Sequence, residues 1–527
     1  MKQVAWWEWG LVATLVALGF FLRSRDLTLF KLSPDDGQYM NSARLQTLER
    51  STDPAQWVEE DLTWFGVLAD DWGHDTRTAT TYQHSYLHQF LFRYGYRLGL
   101  SRIEALRMNS AVLGALTIGL LWWLYAWLFP DRRRVGLVAA AILSVLLVHV
   151  FQSRTGWGQI GAACFFLVSF AAGWKLLART DERDTRSQVK LGLVLLVASV
   201  LGMGFQEMTS VLVVGLVLMA LFAPWWREPR GPKLAEHALR SRVLRAVLVS
   251  AIPVGAYTLA LRLFSDYARE KWFKLELYKD LSWWDLRVAV ARKFFTIDHV
   301  YAQLSIPVLV LAAIGVRATW QRDRAWCRYC VGWVFASSVF LFFVFNDPTL
   351  LRVYLPAMLV VVLLAAEGLV FVAERVAEGV ARGAAPRIAK ALAACATVVL
   401  CAWLGARTWT TVFGDEDDAL FEPGVYVGIP NSRNADRPWL EYLEDHRVSS
   451  ELGVWPAKDP LFVAADAGFR ARLFSFDEPQ TTWTDYLLAV QNSMRLERRR
   501  VEDGGRYRLL VADASGRVGL YALQPAQ

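Results

Sequence analysis

The chain is poor in charge, cysteine and histidine for its length. Charged residues make up 20% of 527 residues and hydrophobic residues 54%, whereas about a quarter of an ordinary soluble protein is charged. There are 5 cysteines and 7 histidines. No cysteine falls in the segments predicted below to be exported, which excludes an extracellular disulfide framework. Cys327 and Cys330 have C-x-x-C spacing without a second pair, so a four-ligand zinc site is not indicated.

Long apolar runs are the main feature that is present. They predict about eleven membrane spans, although several are shorter than the roughly 20 residues that a crossing prefers. The apolar stretches lie at 4–22, 109–129, 136–151, 160–177, 191–206, 209–226, 246–264, 303–316, 329–345, 351–373 and 391–406.

The cations divide unevenly between alternate loops. Between the apolar stretches, the short loops that are rich in Lys and Arg lie at 130–134, 175–190, 227–245, 317–328 and 375–390. The intervening short loops contain only Arg154 and Arg352. The positive-inside rule therefore predicts a multi-pass protein of the plasma (inner) membrane, with a cytoplasmic N-terminus and an exported C-terminus. This topology explains the net charge of +7, so nucleic-acid binding is not indicated.

The predicted fold class is mostly α, a polytopic membrane protein of about eleven helices with a C-terminal extracytoplasmic α/β domain. The transmembrane domain is residues 1–406, with exported loops at 23–108 and 265–302, and residues 407–527 form the C-terminal domain. We expect no nucleic-acid partner, only the lipid bilayer and exported ligands.

Within the C-terminal domain the hydrophobic pattern predicts both helices and strands. The segments Trp439–Leu443 and Trp483–Arg495 are predicted helices, and Leu461–Ala465 is a predicted strand. Residues Arg508–Ala512 and Val518–Leu523 are predicted to close the chain as a hairpin.

Two adjacent carboxylates, Asp35 and Asp36, follow the first apolar segment by about a dozen residues. Adjacent acids outside a bilayer repel each other and attract protons, cations or cationic transition states. A purely local role is the alternative, because Ser33-Pro34-Asp35-Asp36 also has the composition of a helix N-cap. Both roles are compatible if Asp36 caps the helix and Asp35 faces a cavity.

Arg154 and Arg352 stand out because each lies at the mouth of a predicted span on the outer face. Arg107, just before the second span, is predicted to lie at the same level. A guanidinium matches phosphate oxygens bidentately, so these arginines are candidates for holding an anionic group in the outer leaflet. Snorkelling toward lipid headgroups is the alternative.

A second acidic cluster in the first exported loop contains Asp70, Asp71 and His74. Together with Asp35 it is a candidate site for a divalent metal ion, since hard cations prefer carboxylate oxygens; a solvated loop is the alternative. His84 and His88 share one helical face at i, i+4, which fits a metal pair, acceptor contacts or loop packing. No other cofactor is indicated.

The exported loop after the first span resembles that of the GT-C glycosyltransferases, in which Asp-Glu-Ala-x-Tyr or a close variant is typical. Here the motif is Asp35-Asp36-Gly37-Gln38-Tyr39. The similarity is to protein O-mannosyltransferases and bacterial aminoarabinose transferases, and it covers about the first 370 residues. Further matching segments are His84–Leu87, without the family's prolines, Gly99–Arg107, Ser153–Trp157 and Arg352–Pro356.

This resemblance implies a membrane glycosyltransferase of the cell envelope that uses a dolichyl- or polyprenyl-phosphate sugar. The acceptor would be an extracytoplasmic protein, lipid or glycan, and the anomeric centre would be inverted. The implied catalytic residues are Asp35, as general base, and Asp36. The implied phosphate-binding residues are Arg154, Arg352 and Arg107, and the substrate-pocket candidates are Tyr39, His84, His88 and Tyr354.

A secondary transporter or lipid flippase is the main alternative. Such proteins place ionisable residues and broken helices near the bilayer midplane. Here the predicted spans carry few charges, and the exceptional charges are predicted at the outer surface. A non-catalytic scaffold or receptor is a second alternative, and only the exported set of acids and arginines argues against it.

Overall fold

The structure of the chain is a computed structural model that describes part of the sequence. The described residues are 5–27, 87–88, 91, 102–156, 158–178, 185–205, 247–249, 251–256, 284, 288, 304–344, 354–380, 385–413, 437–450, 452–455, 471–473, 485–490, 507–512 and 518–524.

Apolar helices form most of this structure. In the first half they are α1 (Trp6–Ser24), α2 (Arg102–Leu128), α3 (Arg133–Val145), α4 (Leu147–Gln152), α5 (Gln159–Ala178) and α6 (Thr185–Phe205). A 3-10 turn at Pro130–Arg132 joins α2 to α3. In the second half they are α7 (Ile306–Arg322), α8 (Arg324–Val344), α9 (Leu355–Val380) and α10 (Ala385–Phe413).

Five of these helices are long and apolar enough to cross a membrane, namely α2, α5, α6, α9 and α10. The chain is therefore a multi-pass membrane protein, as the apolar runs predict. The count of about eleven spans stays a prediction, because the stretch 209–226 and most of 246–264 lie outside the described residues. The last predicted span, 391–406, lies inside α10, which continues to Phe413.

The predicted span 136–151 is two helices rather than one. Leu146 has an extended backbone, with φ −69° and ψ 120°, and separates α3 from α4. The break leaves carbonyl groups at the end of α3 without helical partners. Side chains of neighbouring helices supply donors, since Arg23 binds the carbonyls of Leu143 and Ser144 and the Thr408 hydroxyl donates to that of Val145 at 2.6 Å.

The core of the bundle lies around α9, most of whose residues are buried. Its contact with α7 is close because two glycines face each other's backbone. A Cβ at Gly315 would overlap the carbonyl oxygen of Leu364, and a Cβ at Gly368 would overlap that of Leu311. Small residues at such crossings allow membrane helices to approach closely.

Aromatic rings pack α5 against α8. The rings of Phe166 and Trp333 meet edge to face with centroids 5.1 Å apart, and those of Phe170 and Tyr329 are 4.8 Å apart. The Tyr329 hydroxyl donates to the Phe170 carbonyl at 2.6 Å. This satisfies a buried polar group inside an otherwise apolar interface.

The C-terminal region contains helix α11 (Arg437–Asp445) and a mixed five-stranded sheet of order β2-β1-β3-β5-β4. Strand β1 pairs in parallel with β2 and β3, whereas β5 pairs antiparallel with β3 and β4. The strands are β1 (Leu452–Trp455), β2 (Ala471–Leu473), β3 (Tyr486–Val490), β4 (Tyr507–Ala512) and β5 (Val518–Leu523).

Helix α11 and the sheet test three of the predictions for this region. Helix α11 contains the predicted helix Trp439–Leu443, and β4 and β5 form the predicted closing hairpin. The predicted helix Trp483–Arg495 is wrong, because Tyr486–Val490 is strand β3 at the centre of the sheet. The predicted strand Leu461–Ala465 lies outside the described residues.

Candidate functional site

The backbone that leaves α1, residues Leu22–Leu27, is held by buried arginines; this segment is called the α1 exit below. Arg154 is fully buried just after α4. Its Nη1 donates to the carbonyls of Leu22 at 3.0 Å and Arg25 at 2.5 Å, and its Nη2 donates to that of Asp26 at 2.7 Å. One guanidinium therefore satisfies carbonyl groups that the end of α1 leaves free.

Arg107 reaches the same segment from the first turns of α2. Its side chain is buried, and Nη1 donates to the Leu27 carbonyl at 2.7 Å. Asp26, between the two contacts, has a positive φ of 49°, which is uncommon for a residue other than glycine. The two arginines that the sequence predicts at one level thus meet on a single stretch of backbone.

Arg23 is a third buried arginine at this site, and no sequence pattern indicates it. Its guanidinium donates to the carbonyls of Gly19, Leu143 and Ser144, and Nη2 lies 2.7 Å from Nδ1 of His149. Both side chains are buried. A single cation at the end of an apolar run gave no sequence signal that distinguishes it from a snorkelling arginine.

Helix dipoles stabilise these charges. Arg23 contacts carbonyls at the C-terminal ends of α1 and α3, and Arg154 contacts those at the end of α1. Each helix C-terminus carries about half a negative charge. Within the described part of the chain, no carboxylate lies within ion-pair distance of Arg23, so partial charges of carbonyls surround this cation.

Aromatic rings of α10 cover the α1 exit. The Arg154 guanidinium lies 4.8 Å from the centroid of the Phe413 ring. The exposed guanidinium of Arg25 lies 4.8 Å from the Trp409 ring and 5.4 Å from the Phe413 ring. These distances are within the range of cation–π attraction. The end of α10 therefore contacts Arg154 and Arg25 at the α1 exit.

His88 and Tyr354 are the substrate-pocket candidates that the structure describes. His88 is fully buried, with its ring centroid 6.3 Å from that of Phe205. Burial lowers the pKa of His88 to about 4, and the Gly156 backbone opposes that shift. Tyr354 is partly buried at the start of α9, where its hydroxyl lies 3.1 Å from the Ser338 hydroxyl.

The other predicted site residues lie outside the described residues. These are Asp35, Asp36, Tyr39, Asp70, Asp71, His74, His84 and Arg352. The structure therefore does not test the general base, the acidic cluster or Arg352. In the described ranges, no three His, Cys, Asp or Glu side chains are grouped in a way that would hold a metal ion.

The end of the bundle at which α1 begins lies opposite the α1 exit. It contains Arg132, Arg133 and Arg322, is called the basic end below, and holds ion pairs. Glu367 is buried in α9, where it accepts hydrogen bonds from the Tyr125 hydroxyl and from Arg132. Arg322 approaches the same carboxylate at 3.5 Å and also binds Glu374. Glu8, near the start of α1, lies 3.4 Å from Arg133. The two ends of α1 thus contact differently charged surroundings.

The helical bundle followed by a mixed sheet has the GT-C fold, as the comparison with solved structures shows. No protein-family model and no curated protein matches the sequence. Solved structures establish the fold. ArnT from Cupriavidus metallidurans bound to undecaprenyl phosphate matches with a TM-score of 0.59, 14% identity and 99% coverage of both chains.

Two further structures agree on the fold. ArnT from the same organism in the apo state has a TM-score of 0.57 at 14% identity, again over 99% of each chain. The Archaeoglobus fulgidus oligosaccharyltransferase in the apo form has a TM-score of 0.50 at 13% identity, over 90% of this chain and 65% of that one. The resemblance predicted from the sequence motifs is confirmed at the level of the fold.

Proposed function

We propose that this protein is a membrane glycosyltransferase that moves a sugar from a polyprenyl-phosphate donor to an acceptor outside the cytoplasm, inverting the anomeric centre. The shared fold supports this proposal over nearly the whole length of the chain. The ArnT structure with that fold is bound to undecaprenyl phosphate, which supports a lipid monophosphate as the carrier. The sugar is left open at hexose or pentose, with mannose one candidate.

Asp35 acts as the general base in this proposal. The acceptor oxygen attacks the anomeric carbon while Asp35 takes the hydroxyl proton, and the bond between that carbon and the phosphate oxygen breaks. Polyprenyl phosphate leaves with the bonding electron pair. General base catalysis contributes roughly 10²–10⁴-fold to such a reaction. Asp36 completes the acidic pair, as helix cap or as second carboxylate.

Fixed cations stabilise the leaving phosphate in this proposal. Arg154 and Arg107 support this role by their position at the α1 exit. The chain continues from the α1 exit toward Asp35, and the nine residues from Asp26 to Asp35 span at most about 32 Å when fully extended. Arg352 precedes Tyr354 by two residues, so the Cα atoms of the two residues are at most about 7 Å apart. Preorganised charges of this kind need no reorganisation during the reaction.

The remaining assignments complete the proposal. Tyr39, His84, His88 and Tyr354 line the substrate pocket, and a divalent metal at Asp70, Asp71 and His74 is an optional element. Loops 23–108 and 265–302 and the region 407–527 lie outside the cytoplasm. The observation that carries the proposal is the gathering of buried arginines at the α1 exit, within a fold shared with an ArnT structure that is bound to undecaprenyl phosphate.

Membrane vesicles supplied with a labelled polyprenyl-phosphate sugar provide the test. We expect label transfer by the parent protein and a loss of at least about 10²-fold in Asp35→Asn. The matched control is Asp445→Asn, which removes an exposed carboxylate of α11 and should transfer label at the parent rate. Undiminished transfer by Asp35→Asn would remove the base assignment.

The transporter alternative predicts a different outcome in the same vesicles. A transporter or flippase moves the intact labelled donor to the other side, and the bond between sugar and phosphate survives. Movement of intact donor without cleavage would refute the glycosyltransferase proposal. Cysteine labelling that places residue 36 in the cytoplasm would refute the proposed topology.

A further inference from the structure

A long apolar groove separates α1 from α10 on the side of the bundle where α3 forms the floor. Its volume is about 850 Å³, near the upper end of the roughly 300–1,000 Å³ typical of ligand sites. Leu11, Leu15 and Leu18 of α1 form one wall. Leu137 and Ala141 of α3 lie at the floor. The groove follows α1 along most of its length.

The wall that α10 contributes is built mostly from small side chains, with Val398 among them and Trp409 toward one end. Ala394, Ala402 and Ala406 line the groove at intervals of four or eight residues, so they lie on one helical face. Val399 lies on another face of α10, where it is 69% exposed and does not line the groove. The small residues therefore keep the groove open.

Most of the side chains that line the groove are apolar, so its surface matches hydrocarbon in polarity. Flexible acyl chains adapt to an apolar cleft of irregular shape.

Two cations mark one end of the groove. Arg134, at the start of α3, and Lys390, in the first turns of α10, line it at the basic end. Both side chains are exposed. Glu374 also lines the groove, but it forms an ion pair with Arg322. The charge at this end is therefore complementary to an anionic headgroup.

This end is distant from the proposed reaction site. Glu8, which contacts Arg133 beside Arg134, and Leu22, which Arg154 binds, are separated by about 21 Å along α1. A headgroup bound by Arg134 and Lys390 lies at the basic end and not at the α1 exit. A donor phosphate must instead lie where its sugar reacts.

We propose that the groove binds an anionic glycerophospholipid, with its acyl chains between α1 and α10 and its phosphate at Arg134 and Lys390. The lipid fills the gap that separates α10 from α1 and links α10 to the bundle. The site is distinct from the donor site. Its occupancy does not depend on glycosyl transfer, so each proposal stands or fails by its own experiment.

Native mass spectrometry of the full chain in detergent tests this site. Phosphatidylglycerol and phosphatidylcholine of the same acyl composition are added in turn, and bound lipid is measured after a detergent wash. We expect selective retention of phosphatidylglycerol. Ala402→Trp should lower it about tenfold or more, because the indole displaces several methylene groups. Arg134→Gln and Lys390→Gln should each lower it about fivefold.

Matched controls use the same helix. Val399→Trp adds the same indole to the exposed face of α10, and Arg387→Gln removes an exposed cation that does not line the groove. Both should retain phosphatidylglycerol as the parent does. Ala402→Leu is a milder blocking variant, to be used if the tryptophan variant does not fold.

Three results would overturn the proposal. Equal retention of the two phospholipids would remove the headgroup site, and undiminished retention in both Ala402 variants would remove the acyl-chain site. Displacement of phosphatidylglycerol by undecaprenyl phosphate, with no effect of the Arg134 and Lys390 changes, would assign the groove to the donor tail instead.

Discussion

The two ends of the helical bundle hold their arginines in different ways. At the α1 exit, Arg23 and Arg154 donate to backbone carbonyls at helix C-termini. At the basic end, Arg132 and Arg322 bind the buried carboxylate of Glu367. The first arrangement surrounds a cation with partial charges, whereas the second pairs it with a full negative charge.

This difference fits a structural role for the arginines at the basic end and the proposed chemical role for those at the α1 exit. A buried carboxylate with two arginines fixes three helices, because Tyr125, Arg322 and Glu367 belong to α2, α7 and α9. Carbonyl oxygens hold an arginine in place while cancelling less of its charge. A cation held in this way at the start of a loop that is predicted to be exported suits the proposed attraction of a phosphate.

The largest expected effect is at the basic end. Glu367→Ala leaves Arg132 and Arg322 without their shared buried partner and removes the acceptor for Tyr125. We expect a loss of about 3–5 kcal/mol in the free energy of unfolding. Thermal unfolding in detergent measures it. Glu378→Gln is the control, because its pair with Arg375 is exposed and contributes about 0.5 kcal/mol or less. Equal effects of the two changes would contradict this account.

Arg154→Ala tests the α1 exit. It removes the donors for the carbonyls of Leu22, Arg25 and Asp26, and we expect donor-dependent transfer to fall about 10²–10³-fold. Arg154→Lys keeps the charge but replaces the planar guanidinium fork with a compact ammonium group, so it should recover only part of the rate. A lower kcat would indicate that Arg154 stabilises the leaving phosphate in the transition state, whereas a higher KM alone would indicate weaker donor binding. Full activity of Arg154→Ala would exclude Arg154 from the reaction.

His88 provides a test by pH. Its folded-state pKa is about 4 because of burial, while an unfolded histidine titrates near 6.5. The unfolded state thus binds more protons between these values, and stability falls as pH decreases from about 6.5 to 4, by about 3 kcal/mol in total. The Tm of the detergent-solubilised protein, followed from pH 7 to pH 4, reports this loss. In His88→Gln the decline in stability should be smaller by that amount. A pH profile equal to that of the parent would refute the assignment of this decline to His88.

The smallest expected effect is that of Glu8→Gln. The ion pair between Glu8 and Arg133 is long, at 3.4 Å, although Glu8 is buried and the Arg133 side chain is 18% exposed. Glutamine keeps an oxygen that accepts from Arg133, so we expect a loss of about 1 kcal/mol. A small drop in Tm, well below that of Glu367→Ala, is the expected result. A loss comparable to that of Glu367→Ala would show that both ion pairs at the basic end are equally important.

Short-range patterns were read correctly where the local signal was strong. The apolar runs predicted the described helices, and the two short runs Arg508–Ala512 and Val518–Leu523 predicted the closing hairpin. The helix predicted over Trp483–Arg495 failed because Tyr486–Val490 is a short apolar run, and periodicity alone does not distinguish a buried strand from a helix. Pairing with β1 and β5 on its two sides decided the outcome.

The candidate site also combines features that local sequence patterns predict with contacts that they do not. The sequence predicted Arg107 and Arg154 at one level because cations are rare on that face. It did not predict that both bind the α1 exit, since Arg154 and Leu22 are 132 residues apart in the chain. The contact between Arg23 and His149 was not predicted for the same reason, because the two residues are 126 positions apart in the chain.

The sequence by itself determined the membrane-spanning character of this protein, the charge asymmetry that predicts its orientation, and the motif that resembles GT-C transferases. These depend on composition and on neighbours along the chain. Only the tertiary structure decided which carbonyls the arginines bind, where α3 breaks and that a groove separates α1 from α10. Hydrogen bonds between distant segments form only after the helices have packed, so no local pattern specifies them.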